Sequence, residues 1–505
     1  MLIYSERNRG DASALVSKTL LQPMLADKWR IIIVLVCSAF AVRALGLIDA
    51  TGPWKDELYT VGKSFQPQFG ALLDKLRNDT HPPAYYTLMW VWGVLGPQTI
   101  TSLRLFSWFA YLGGGIVMML QSQALAQRRP RQAMAIAALM AFCSPFPVRF
   151  AIEGKGYALL VLFIALAWWW RRVEKLWAYG TCVALSALTH YYGLFLFGAT
   201  LIWDSWHHRW QSSRATALAL LPAIGWLLFA SSYLFRDGTG AWIGTPDFGL
   251  MEDTLARAIG RWPLPKIGIL LAIILAIQHW GLEKNPCNPK TKAINKNIPI
   301  RDKSGLQPTL LMVVGVVMIS FWKPLAFSRY FVVILPALIP WLGVRASEPT
   351  LNSRGRLLGI TALSLLLISW WWQSFRNLDP ALTVDGARES NQFHVVSHAL
   401  RGETYRYSNH KDLLILSDRM EVNAGRMNSP EQSWKGELEL YELLTQDLGS
   451  LPNQIWLADS GSQRTTKRNL KALRKQPEKV GYRCEKFDLN KSYAAILRCT
   501  LKTTT

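Results

Sequence analysis

Acidic residues are scarce in this chain. Its 505 residues hold 34 Asp and Glu against 56 Lys and Arg, leaving a formal net charge of +22. Charged residues of both signs make up 18%, whereas 50% are hydrophobic. That balance excludes a disordered chain, whose few apolar groups cannot offset the entropy of ordering. The six cysteines, at 37, 143, 182, 287, 484 and 499, include no CxxC and no zinc-ligand spacing, which excludes a small disulfide scaffold and a zinc module. The glycines have no collagen period and no internal repeat is visible. The first 25 residues are polar and unlike a cleaved signal, so the first apolar run is expected to act as a retained anchor.

What the chain does have is apolar sequence gathered into blocks. From Trp29 to Trp372 long apolar runs alternate with short basic connectors, and the remainder has soluble composition. A helix crossing the hydrocarbon needs roughly 20 apolar residues. Eleven spans meet or approach that length: 29–48, 104–126, 132–150, 156–171, 175–190, 192–207, 214–234, 264–282, 308–323, 329–345 and 356–373. A twelfth stretch, 84–97, lies between Pro83 and Pro97 and is short for a crossing, which suits a tilted or re-entrant helix. The expected fold is a polytopic α-helical membrane protein of about 11–12 transmembrane helices over residues 1–374. A small α/β domain is expected over 375–505, with strands near Leu413 to Leu416, Gln454 to Leu457 and Ala494 to Leu497, and helices near Glu437 to Leu444 and Thr466 to Arg474.

The placement of the basic residues decides what the positive charge means. They sit at the ends of apolar runs, as in Arg128-Arg129-Pro130-Arg131, Arg171-Arg172 and Arg345 to Arg356. That is the positive-inside distribution of cytoplasmic loops, and nucleic acid is not an expected partner. Many of the 23 tryptophans also sit near the ends of runs, as interfacial anchors do. With the N-terminus cytoplasmic and 84–97 not crossing, the connectors 127–131, 171–175, 207–214, 283–307 and 345–356 all fall inside. The loop 49–103, the turns at 150–156, 190–192 and 323–329, the loop 235–262 and the tail fall outside a plasma (inner) membrane. A disulfide between Cys484 and Cys499 is open to a tail in that compartment.

Ionisable residues collect on the expected outer face. Asp56 and Glu57 follow the first span, either as a solvated loop or as a general base or metal-binding carboxylate held at the interface. Phe65, Phe69, Leu72, Leu73 and Leu76 behind them have the spacing of an amphipathic surface helix. Asp79 and His81 precede the stiff Pro82-Pro83 turn, where Asp79 or Thr80 would serve equally as a helix cap. Arg104 opens a span and, taken alone, reads as a snorkelling cation. Glu153, Lys155 and Tyr157 share a tight turn between spans, at a depth where each charge costs ~2–3 kcal/mol unless paired or aimed at a polar cavity. His190 and Tyr191 occupy another outer turn, and Lys323 and Arg329, with Tyr330, place two cations in a third. Such a cation pair suits a phosphate, and acids opposite it suit deprotonation of a hydroxyl.

The ordered set of motifs resembles the multi-pass glycosyltransferases of the C superfamily that use polyprenyl-phosphate-linked sugars, in particular the protein O-mannosyltransferase and aminoarabinose-transferase-like families. It spans about residues 30 to 345 and consists of Asp56-Glu57, Asp79-Thr80-His81-Pro82-Pro83, Arg104-Leu105-Phe106-Ser107, Ser144-Pro145-Phe146, Glu153 to Tyr157, Thr189-His190-Tyr191-Tyr192, and Lys323-Pro324 with Arg329-Tyr330. The resemblance implies Asp56 as general base for the acceptor, with Glu57 and Asp79 as its companion acids. It implies Arg104, Lys323 and Arg329 near the lipid phosphate, with His81 where some members carry a phosphate-contacting lysine. The family's Gln-Glu-Ala-Arg before a tyrosine is here Ile152-Glu153-Gly154-Lys155-Gly156-Tyr157, so the bidentate arginine is missing. The 235–262 loop, with Trp242, Ile243 and Pro246, resembles the outer loop that covers the acceptor site. The partners so implied are a polyprenyl-phosphate sugar, membrane lipids and an acceptor glycan, lipid or protein. Sugar, acceptor and any divalent metal stay open. A multi-span transporter or lipid flippase is the competing class, against which stand the absence of matched halves and the gathering of polar groups at one face.

Overall fold

A computed structural model describes residues 28–46, 48, 55–143, 150–236, 243–259 and 300–347, together with short stretches of the tail between 413 and 501. The expected spans at 264–282 and 356–373 and the Ser144-Pro145-Phe146 motif lie outside the described residues. The helices are α1 (Lys28–Gly46), α2 (Lys55–Ser64), α3 (Phe69–Arg77), α4 (Ala84–Leu95), α5 (Ile100–Leu125), α6 (Pro130–Cys143), α7 (Tyr157–Arg172), α8 (Leu176–Thr189), α9 (Tyr191–Trp206) and α10 (Trp210–Phe229). They continue with α11 (Phe248–Ile259), α12 (Leu306–Ser320), a 3-10 segment at Ser328–Ile334, and α13 (Leu335–Ser347).

Among the described residues, four helical stretches are long and apolar enough to cross a membrane: Trp29–Gly46, Thr101–Leu125, Trp210–Phe229 and Ser328–Ser347. The other helices that fill expected spans are shorter, from 14 to 16 residues. At ~1.5 Å per residue they are only ~21–24 Å long. Large apolar side chains point outward where lipid would lie, as at Val42, Leu218 and Leu228. The interior is filled by Trp168, Tyr179, Tyr111, Phe142 and Phe197, all fully buried. Close approach of helices has a local cause: a Cβ at Gly115 would run into the Phe142 ring, so a glycine there lets α5 and α6 meet without moving that ring.

The segment between α1 and α5 does not cross. Arg104, in the first turns of α5, donates to the carbonyl of Ile48 just past α1 at 2.6 Å, so the chain leaves and returns at one end of the bundle. Helix α4 is 12 residues, about 18 Å, and lies beside α2 and α3 on that same end. The amphipathic helix expected behind Asp56 is α3, which buries Leu72 and Leu76; Phe65 falls outside it. From α5 to α10 helices joined by short turns pack side by side and alternate in direction. The basic connectors at 127–131, 171–175 and 207–214 therefore share the end opposite α2–α4, as the charge pattern predicts.

In the tail five strands form one sheet in the order β2-β1-β3-β5-β4: β1 (Leu413–Leu416), β2 (Trp434–Lys435), β3 (Gln454–Asp459), β4 (Tyr482–Phe487) and β5 (Ala495–Leu501). Strand β1 runs parallel to β2 and β3, while β5 runs antiparallel to β3 and β4. Cys484 and Cys499 are register partners across β4 and β5 and are disulfide-bonded. The helix expected at 437–444 lies outside the described residues, and of that at 466–474 only Lys471 and Arg474 are described.

Candidate active site

Helix α2 sets the site. Positions 56, 60 and 63 follow the i, i+4, i+7 spacing of one helix face, which aligns Asp56 with Lys63. Glu57 points the other way and is fully buried. Its two oxygens accept from Arg104 Nε at 2.8 Å and Nη2 at 2.7 Å, and Oε1 also accepts the Gly154 N–H at 2.7 Å. Arg104 is 3% exposed and gives its remaining nitrogen to Ile48. Two residues expected near substrate, Glu57 as an acid and Arg104 as a phosphate cation, are thus committed to each other. They form a brace that ties α2, α5 and the 153–156 turn together.

Asp79 sits in the turn before Pro82, where its carboxylate pairs with Lys63 and lies 3.4 Å from His81 Nδ1. Burial alone would raise the Asp79 carboxyl, but the Lys63 ammonium and His81 overcome it and hold it well below the usual carboxylate range. Burial pushes the His81 imidazole below its ordinary value despite Asp79, so at neutral pH it is uncharged. The cation at this corner is Lys63, which also lies 5.1 Å from the Tyr86 ring centroid.

The third pair joins distant parts of the chain. Arg329, in the 3-10 segment, donates from Nη1 to Asp56 Oδ2 at 2.9 Å. The Asp56 side chain is 31% exposed and that of Arg329 11%, so this pair faces the opening and the Glu57 pair does not. Tyr330 beside Arg329 is locked among aromatic rings: His190 at 4.7 Å, Tyr192 at 5.2 Å and Tyr157 at 6.3 Å between centroids. Burial, with His81 and Lys155 nearby, lowers His190 to about 3, and its Nδ1 accepts the Tyr192 N–H at 3.1 Å as the N-cap of α9. Tyr192 turns into the cluster, its hydroxyl donating to Leu325 O at 2.9 Å, whereas Tyr191 packs against the core. Helix α11 adjoins the 3-10 segment through Ser328 Oγ, which donates to Asp253 Oδ2 at 2.5 Å. Trp242, at the start of the expected covering loop, lies outside the described residues.

The turn bearing Glu153 and Lys155 enters this cluster because it is flanked by glycine. A Cβ on Gly154 would lie 3.1 Å from Leu103 Cβ, and one on Gly156 would lie 3.1 Å from Tyr85 Cγ. Glu153 and Lys155 are 7% and 5% exposed. Lys323 stays outside: it is exposed, lies over the Phe235 ring at 5.2 Å and forms no ion pair among the described residues. Sequence reasoning missed Lys63, although its helical register with Asp56 was the available signal. Among the described residues no three His, Cys, Asp or Glu side chains converge as a metal site requires; the acids instead oppose bases.

No known family model matches the sequence, and no curated protein sequence does. Solved structures do match in fold. ArnT from Cupriavidus metallidurans bound to undecaprenyl phosphate superposes with a TM-score of 0.53 at 12% identity, over 92% of this chain and 97% of that one. The same protein in the apo state gives 0.54 at 11% identity over the same shares. At that identity the likeness is one of fold, and it is the polytopic helical architecture that the motifs of the C superfamily imply.

Proposed function

We propose that this protein is a membrane glycosyltransferase that moves a sugar from a polyprenyl-phosphate donor to an acceptor hydroxyl. One observation carries the reading: Asp56 and Arg329, 273 residues apart, form an ion pair in a partly open site. The acceptor oxygen attacks the anomeric carbon, its proton passes to the Asp56 carboxylate, and the bond from that carbon to the phosphate oxygen breaks with its electron pair leaving on the polyprenyl phosphate. A phosphate leaving group needs a cation more than an acid, and Arg329 supplies one in bidentate form. Arrival of the phosphate draws Arg329 away from Asp56 and so restores the basicity of the carboxylate as the acceptor binds. A single in-line displacement inverts the anomeric centre.

The basic connectors at the opposite end support an extracytoplasmic site. The Cys484–Cys499 bond supports a tail in an oxidising compartment. The resemblance of the motifs and the fold shared with ArnT support the donor class. Transfer from a panel of polyprenyl-phosphate sugars, with the wild type and Asp56→Asn compared, tests the reading. Turnover by the wild type and its loss in the variant are expected. Equal turnover would remove Asp56 as base, and no transfer from any donor together with solute uptake into proteoliposomes would favour a transporter.

A further inference from the structure

One buried charge in the site has no partner among the described residues. The Lys155 side chain forms no hydrogen bond and no ion pair among the described residues, yet the residue is 95% buried, being 5% exposed. The acids around it face other groups: Asp56 pairs with Arg329, Asp79 with Lys63 and Glu57 with Arg104, while the buried Glu153 of the same turn acts electrostatically on Arg329 and Tyr157. An ammonium in that position is costly unless an anion completes it.

Its surroundings define the anion's place. Lys155 interacts through space with Asp56 and Lys63 of α2, Asp79 of the Pro-Pro turn, and Arg329 of the 3-10 segment, and His81 and His190 feel it from their own elements. Among the described residues Lys63 and Arg329 are ion-paired and Lys155 is not, so a negative group entering this cluster would meet an uncompensated ammonium. We propose that Lys155 is the counter-ion for the phosphate of the lipid-linked donor, its buried ammonium being the charge that the surrounding ion pairs leave uncompensated. Capture of the donor then weakens in mildly alkaline solution, where a lysine, unlike an arginine, sheds its proton. The inference rests on the donor class proposed above and adds to it a specific ligand and a pH response.

Burial, only partly countered by Asp56, lowers the Lys155 ammonium from its ordinary range to about 8. His81 and His190 are both pushed below the usual imidazole range, so neither changes charge above neutrality. The donor's phosphodiester carries one charge throughout this range, and the polyprenyl phosphate probe is doubly charged above its second ionisation near ~6, so neither ligand confuses the window.

Binding of a synthetic long-chain polyprenyl phosphate to the detergent-solubilised full chain, measured by calorimetry between pH 7 and 9, tests the inference. The wild type should bind about tenfold more weakly at pH 9 than at pH 7. Lys155→Arg should bind with no such slope, and Lys155→Met, which keeps the length without the charge, should bind weakly at both pH values. Should the arginine prove too large for the glycine-flanked turn, the methionine variant alone decides. A wild-type affinity indifferent to pH, or a methionine variant with the wild-type slope, overturns the role of Lys155 and leaves the donor reading standing. No binding by the wild type at pH 7 overturns both.

Discussion

The two ends of the bundle carry clusters of the same residue types in opposite states. At the far end of α7, Arg171 meets Asp204 of α9 through Nε at 3.2 Å and through Nη2, and donates to the Asp302 carbonyl at 3.2 Å. Arg209 pairs with Asp302 and reaches Asp204 at 3.3 Å, while Trp203 Nε1 donates to Asp302 Oδ1 at 3.0 Å. Two acids face two arginines, and both acids are at most 1% exposed. Burial would raise Asp302, but hydrogen bonding and charge from Arg209 and Arg171 hold it below the usual range. At the other end, Asp56 is partly exposed and Lys155 is buried with no ion pair among the described residues. A charge cluster that closes on itself holds helices in register; one left open to solvent and short of an anion is built to receive something.

The contrast can be broken most forcefully at Arg329. Arg329→Gln should lower turnover by about 10²–10³-fold, the scale of losing one transition-state charge contact, with only a small change in thermal unfolding because Asp56 keeps access to solvent. Kinetics beside a melting curve in detergent check this, and a collapse of the melting temperature would place Arg329 in the structural class.

The next effect falls on stability. Breaking the site-end brace by Arg104→Met leaves Glu57 buried and unpaired, which costs about 3–5 kcal/mol. The double variant Glu57→Leu with Arg104→Met should recover most of that loss in thermal unfolding. A double variant no more stable than the single one would show that the pair carries more than its own charges.

The smallest effect has the opposite sign. The folded chain holds the Lys155 proton less tightly than the unfolded chain does, so wild-type stability rises with pH from about 8 toward the ordinary lysine value. Lys155→Met should therefore melt a few degrees above the wild type at pH 7, with the gap closing by about pH 10. A variant that melts lower at pH 7 would mean the ammonium already has a stabilising partner.

Much of this site was legible in the sequence, because an ionisable residue at membrane depth needs a reason. Asp56, Asp79, Lys155 and Arg329, each singled out by its motif, come together at one end of the bundle, and the short 84–97 run proves to be a helix that stays at that end. Pairing was not legible. Arg104 reads as a snorkelling or phosphate-binding cation until Glu57 is seen beneath it, since the two are separated by 47 positions. Lys323 and Arg329 look equivalent in one turn, yet only Arg329 lies on the inward side of the 3-10 segment. The opposite cluster was missed entirely: Asp204 lay inside an apolar run and Asp302 in a basic connector, and neither had a visible partner until α7 and α9 were packed.

The most direct test places Asp56→Asn and Asp204→Asn in one sugar-transfer assay, with turnover expressed per folded molecule. Asp56→Asn should keep its melting temperature and lose about 10²–10⁴-fold in turnover, whereas Asp204→Asn should melt markedly lower while its folded fraction turns over normally. Full turnover by Asp56→Asn, or a folded yet inactive Asp204→Asn, would contradict the division of labour between the two ends.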